Sequence, residues 1–138
     1  MIPTYIVDDV ESDRYIARRR LSKTGLFGPV QEAPGGSEFL DLYFAGTDAE
    51  APPPLILMDI NMPELSGFET LEALRLRLAG DPGTGARNQV VAVFSSSDNE
   101  RDIERSSALG IVQHFFTKPL DDAAIAEILE TYRASGAL

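Results

Sequence analysis

Five short apolar runs alternate with five stretches of helical spacing along the chain, and that alternation limits the folds open to it. Tyr5-Ile6-Val7, Leu55-Ile56-Leu57-Met58 and Gln89 to Phe94 are β-branched or leucine-rich runs of strand length, bounded by polar or turn residues. Pro29 to Ala33 is a weaker second strand, placed at an edge because Pro29 lacks a ladder donor. Gln113 to Thr117 is the fifth. Strict strand–helix alternation yields a parallel sheet with right-handed crossovers and helices on both faces. The 138 residues suit a single α/β domain over 1–138, with no room for an output domain.

The intervening segments read as helices with recognisable ends. Ser12 or Asp13 is expected to cap a first helix that runs to about Thr24 and stops at Gly25. Pro34-Gly35-Gly36 forms a turn, and Ser37 caps a second helix from Glu38 to Ala45, ended by Gly46. Ser66 starts a third helix with Phe68, Leu71, Leu74 and Leu78 on one face, broken by the glycine-rich segment from Gly80 to Gly85. Ser95 to Asp98 caps a fourth helix from Asn99 to Leu109, and a fifth presents Ile125, Ile128, Leu129 and Tyr132. Phe39, Leu40, Leu42, Tyr43 and Phe44 exceed what one core-facing stripe needs, which suggests a partner or dimer surface on the second helix.

Composition excludes several functions. The formal charge is −10, from 22 acids against 12 bases, which argues against a nucleic-acid interface. Arg18-Arg19-Arg20, the one dense basic run, reads as a solvated helix face. Without cysteine there is neither a disulfide framework nor a thiolate metal site. No apolar segment approaches membrane-spanning length, and no signal-like stretch precedes Asp8. A soluble cytoplasmic protein with no membrane partner is the expectation.

Chemistry concentrates at the strand ends. Asp8-Asp9 follows the first strand, Asp59 ends the third, Ser95 ends the fourth, and Lys118-Pro119 follows the fifth. Ligands of doubly wound sheets sit beyond the carboxyl ends of the strands, so the topology gathers these residues into one polar site. Three carboxylates close together repel by roughly 4 kcal/mol per pair at about 4 Å and an effective dielectric near 20. A hard divalent cation relieves this, and oxygen-only ligands favour Mg2+, with Mn2+ as a substitute. A lysine and a hydroxyl add donors for phosphoryl oxygens. An acceptor acid, a divalent cation, a lysine and a hydroxyl together describe phosphoryl transfer to a carboxylate. The bland readings are helix capping for Asp8 or Asp9 and for Ser95 to Ser97, and ordinary core for Phe115 and Phe116. His114, the single histidine, has no triad around it. Gly80 to Gly85 lacks the Gly-Lys-Ser/Thr ending of a nucleotide loop.

The set Asp8-Asp9, Asp59-x-Asn61-Met62-Pro63-x-x-x-Gly67, Ser95 and Lys118-Pro119 resembles the receiver domains of two-component response regulators. The resemblance spans nearly the whole chain, in the manner of a stand-alone, chemotaxis-type receiver. It implies a flavodoxin-like (βα)5 fold with strand order 2-1-3-4-5. Asp59 is then the phosphorylation site, Asp9 a direct metal ligand, Asp8 a second acid and Asn61 a backbone-carbonyl ligand. Ser95 stands at the switch hydroxyl, Phe115 at the switch aromatic, Lys118 binds the phosphoryl group, and Pro119 follows a cis bond. The implied partners are a sensor histidine kinase or histidine phosphotransfer protein and an unnamed downstream protein. The chain is then a monomer or a homodimer through the fourth helix and fifth strand. Such a protein is a phospho-accepting signalling module that assists its own phosphorylation and dephosphorylation, not a classical enzyme. The alternatives are a haloacid-dehalogenase-like aspartyl-phosphate phosphatase, disfavoured by Asn61 where that class carries a second aspartate, and an unphosphorylated pseudo-receiver scaffold.

Overall fold

The computed structural model describes residues 1–45, 52–80, 89–96 and 99–137. Five strands, β1 (Ile2–Val7), β2 (Phe27–Ala33), β3 (Leu55–Asp59), β4 (Val90–Ser95) and β5 (His114–Thr117), form one sheet. All pairings are parallel, and the order is β2-β1-β3-β4-β5. Helices α1 (Glu11–Ser22), α2 (Gly36–Ala45), α3 (Gly67–Gly80), α4 (Glu100–Leu109) and α5 (Asp122–Ala134) connect and cover it. The doubly wound α/β expectation holds, with β2 at one edge as Pro29 required.

Alternation along the central strands divides the core into two layers. Tyr5, Val7, Ile56, Met58, Val91 and Val93 face one cluster, closed by Phe39 and Tyr43 of α2 and Phe68, Leu71, Leu74 and Leu78 of α3. Ile6, Leu55, Leu57, Val90, Ala92 and Phe94 face the other, closed by Leu21 of α1 and Ile125, Ile128, Leu129 and Tyr132 of α5. Period-two side-chain direction sends neighbouring residues to opposite layers. Full burial of each large side chain contributes about 1.5–3 kcal/mol, which holds the strand ends in fixed register.

Several helix ends differ from the sequence reading. α1 begins after Val10, with no side-chain cap; Ser12 and Asp13 lie inside its first turn. The turn into it is instead closed by Asp8, whose Oδ1 accepts the Val10 N–H at 2.9 Å. α2 starts at Gly36, so Ser37 is helical and does not cap. A side chain at Gly36 would run into Thr70 Oγ1, so close packing of α2 on α3 requires glycine there. Asn99, rather than the serine run, caps α4 by accepting the Arg101 N–H at 2.9 Å. Ser66 does open α3, in a capping box: its Oγ accepts the Glu69 N–H at 3.2 Å, and Glu69 accepts the Ser66 N–H at 3.1 Å. The expected stop at Gly46, the loop residues after Gly80, and Ser97 and Asp98 lie outside the described residues.

The surplus apolar residues of α2 are used within the fold. Phe39 and Tyr43 are buried, and Leu40, Leu42 and Phe44 pack against the same cluster. Arg77 of α3 lays its guanidinium over the Phe44 ring at 3.8 Å. These five side chains thus serve packing within the fold, and none is among the large exposed apolar side chains of the described residues, which are Met1, Val10, Tyr15, Ile16, Leu76 and Ile103.

Candidate functional site

The carboxyl ends of β1, β3, β4 and β5 meet, and every strand-end residue singled out in the sequence lies in that region. β3 carries Asp59 to its last position, in register with Phe94 of β4, while Ser95 pairs with Thr117. Asp59 is 4% exposed and Asp8 is 6% exposed, whereas Asp9 is exposed. One carboxylate oxygen from each of Asp8, Asp9 and Asp59 lies within 4.8 Å of the others.

The loop after β3 is tightly fastened. Ile60 N–H donates to Phe94 O at 3.1 Å, and Gly67 N–H donates to Ile60 O at 3.2 Å, closing the loop onto the start of α3. A Cβ at Gly67 would collide with the Asp59 carbonyl and stand 2.7 Å from Ile60 Cα, so only glycine permits this approach. Inside the loop, Asn61 N–H donates to Asp59 Oδ1 at 3.2 Å, and Met62 is buried. Asn61 itself is exposed.

Lys118 supplies the counter-charge. Its Nζ donates to Asp8 Oδ2 at 2.8 Å and to Asp13 Oδ2 at 2.9 Å, and pairs with Asp59 Oδ1 at 3.6 Å. Its own N–H is tied to Ser95 O at 2.8 Å, and the Lys118–Pro119 bond is cis, as the resemblance implied. Ser95 is buried at 1% exposure, and Phe115 is half-buried against the α2–α3 layer. Phe116 packs in the opposite layer against Phe94, with ring centroids 5.5 Å apart. His114 stacks on Phe116 and shares a 2.8 Å hydrogen bond with Thr131 Oγ1, a structural role.

Electrostatics reflect this crowding. Burial, and then the charge of Asp8, push the Asp59 carboxyl up to about 7, with Asp9 adding to the rise; the Asn61 N–H and Lys118 oppose it. Burial would lower the Lys118 pKa, but its bonds to Asp8 and Asp13 and the charge of Asp59 outweigh that and raise it, keeping the ammonium charged. The donor set is oxygen only, and its buried members repel one another without a cation. Both properties fit a hard divalent ion held by Asp8, Asp9 and Asp59.

Two neighbours escaped the sequence reading. Asp13 is a partner of Lys118 rather than a cap. Arg14 donates to the Asp8 carbonyl at 2.7 Å and to Glu32 of β2 at 3.3 Å, which fixes the end of β1. An acid and an arginine one turn into the helix after an acid pair were the available signal.

Comparison with known proteins agrees with this geometry. The family model described as the response regulator receiver domain matches residues 4–130. The two-component response regulator ORR41 of Oryza sativa subsp. japonica is 32% identical over 133 residues, covering 96% of this chain and 95% of that protein. A response regulator receiver protein from Dyadobacter fermentans DSM 18053 has a TM-score of 0.80 at 26% identity, covering 96% of this chain and 98% of that one. The response regulator TrrA of Thermotoga maritima, solved in complex with Mg(2+)-BeF, shares the fold with a TM-score of 0.72 at 21% identity, covering 95% and 98%. A buried strand-end aspartate, an acid pair beside it and a lysine on a cis-proline turn thus occur in a chain that belongs to the receiver-domain family of two-component response regulators.

Proposed function

We propose that Asp59 accepts a phosphoryl group from a phosphohistidine on a sensor histidine kinase or phosphotransfer protein, and that the acyl phosphate then alters protein binding at another face. The observation that carries this reading is the Asp59 carboxylate, nearly buried, with Asp8 and Asp9 within 4.8 Å and the Lys118 ammonium at 3.6 Å. In the transfer, an Asp59 oxygen forms the new P–O bond as the P–N bond to the donor imidazole breaks. The imidazole nitrogen keeps the bonding electron pair. Lys118 and Ser95 stand at the ends of β5 and β4 as donors for the phosphoryl oxygens, and positioning with charge neutralisation supplies most of the rate. Asp8, Asp9 and Asp59, with the Asn61 carbonyl, would hold Mg2+, which offsets the charge of the transferring group when bound. The Thermotoga maritima regulator of the same fold was solved with Mg(2+)-BeF, which supports this assignment.

The downstream step rests on Ser95 and Phe115. Drawing the Ser95 hydroxyl onto the phosphoryl group vacates space toward which Phe115 turns, and α4 and β5 shift between two pre-existing arrangements. Phosphoramidate, a small donor with a P–N bond, tests the acceptor assignment. With Mg2+ the wild-type protein takes up one phosphoryl group and the Asp59→Asn protein takes up none. Equal uptake by both would overturn the assignment.

A further inference from the structure

Lys118 is shared three ways. It donates to Asp8 and Asp13 at hydrogen-bond distance, while Asp59 stands further off at 3.6 Å. An ammonium has three N–H donors, so two are already committed before any phosphoryl group arrives. Asp8 has a second task among the three clustered carboxylates. Among the described residues Asp13 belongs to no such cluster: it sits on the first turn of α1, its side chain 36% exposed, and it meets the site through Lys118. The site thus holds four carboxylates against one lysine, and Asp13 is the member that acceptance of a phosphoryl group does not require.

We infer that Asp13 is a positioning residue that competes with the phosphoryl group for Lys118, so that α1 restrains phosphorylation of Asp59. The inference rests on the acceptor role proposed above and adds a residue that sets its rate. Geometry provides for the exchange. Beside the lysine lies a cavity of about 40 Å³, lined by Asp13, Ile16 and Ala17 of α1, Phe94 of β4, and Pro119 and Leu120. That is room for the ammonium to turn from Asp13 toward a phosphoryl oxygen without unpacking the core.

The test is the rate constant of phosphorylation by acetyl phosphate with saturating Mg2+. It compares wild type, Asp13→Asn, Asp13→Ser and Asp41→Asn, the last removing an equal charge from the exposed face of α2. Both Asp13 variants are expected to be labelled about threefold faster or more at low ionic strength, with the advantage shrinking as salt screens the missing charge. Asp41→Asn stays at the wild-type rate. Damage to the fold slows labelling, so acceleration in two chemically different variants separates competition from a structural role. Unchanged or slowed labelling of both Asp13 variants, or equal acceleration by Asp41→Asn, overturns the inference. A wild-type protein that takes no label from any donor would instead overturn the acceptor role itself.

Discussion

α3 and α4 flank the same site and are held very differently. α3 buries Gly67, Phe68, Thr70, Leu71, Leu74 and Leu78, opens on a reciprocal Ser66–Glu69 capping box, and is fastened to the acceptor loop by the Gly67–Ile60 bond. α4 fully buries only Ser106, leaves Ile103 39% exposed, and is held by the Asn99 cap, by Leu109 against the α2–α3 layer and by Arg105 laid over Phe68 at 4.6 Å. Regions with few buried apolar contacts open at lower free energy than the core. The β3–α3 wall of the site is therefore the stiffer one, and under the proposed function the side carrying Ser95, Phe115 and α4 is where added charge would move structure.

The largest effect that would break this contrast is a stability difference between the two helices. Leu74→Ala should cost about 2–5 kcal/mol, as truncation of a buried leucine does, whereas Ile103→Ala should stay within about 0.5 kcal/mol. Urea unfolding of both variants measures this, and comparable losses would refute the unequal anchoring. A second, smaller effect concerns the crowded acids. With chelator present, the folded Asp59 carboxyl titrates near 7 against 3.8 when unfolded, so its contribution to stability is full below 3.8 and lost as pH rises through 7. Asp59→Asn should therefore unfold at higher urea than wild type at pH 8 by more than about 1 kcal/mol, and the gap should close toward pH 4. A variant no more stable than wild type at pH 8 would show that the acids do not repel as described.

The smallest effect lies on β5. Burial lowers the His114 pKa below its usual 6.5, against a weaker opposing pull from Glu127. The unfolded chain then binds the proton more tightly, so stability is full above 6.5 and declines as pH falls from there toward the folded value. Asp59 contributes with the opposite slope over the same range, so the readout is the difference between His114→Gln and wild type: the variant's urea midpoint should gain on that of wild type as pH falls from about 7 to about 5. A difference that does not change with pH would refute the shift.

The strands and the gathering of Asp8, Asp9, Asp59, Ser95 and Lys118 at one sheet edge were legible because period-two apolar runs and strand-end polar residues are local signals. Which acid is buried was not: Asp8 and Asp9 are adjacent, and only the parting of their side chains at the end of β1 buries one and exposes the other. Asp13 was misread because a helix-start acid has the same sequence appearance whether it caps or reaches a lysine 105 residues away. Helix starts shifted by one to three residues for a related reason. At α2, close packing of Gly36 on Thr70 decided the boundary, a tertiary contact that overrode the capping preference of Ser37.

Locating the phosphoryl group chemically tests the account most directly. After labelling with acetyl phosphate and Mg2+, borohydride reduction converts an aspartyl phosphate to homoserine, and peptide mass spectrometry finds its position. The account predicts homoserine at position 59 and nowhere else; homoserine at 8, 9 or 13 with Asp59 intact would contradict it.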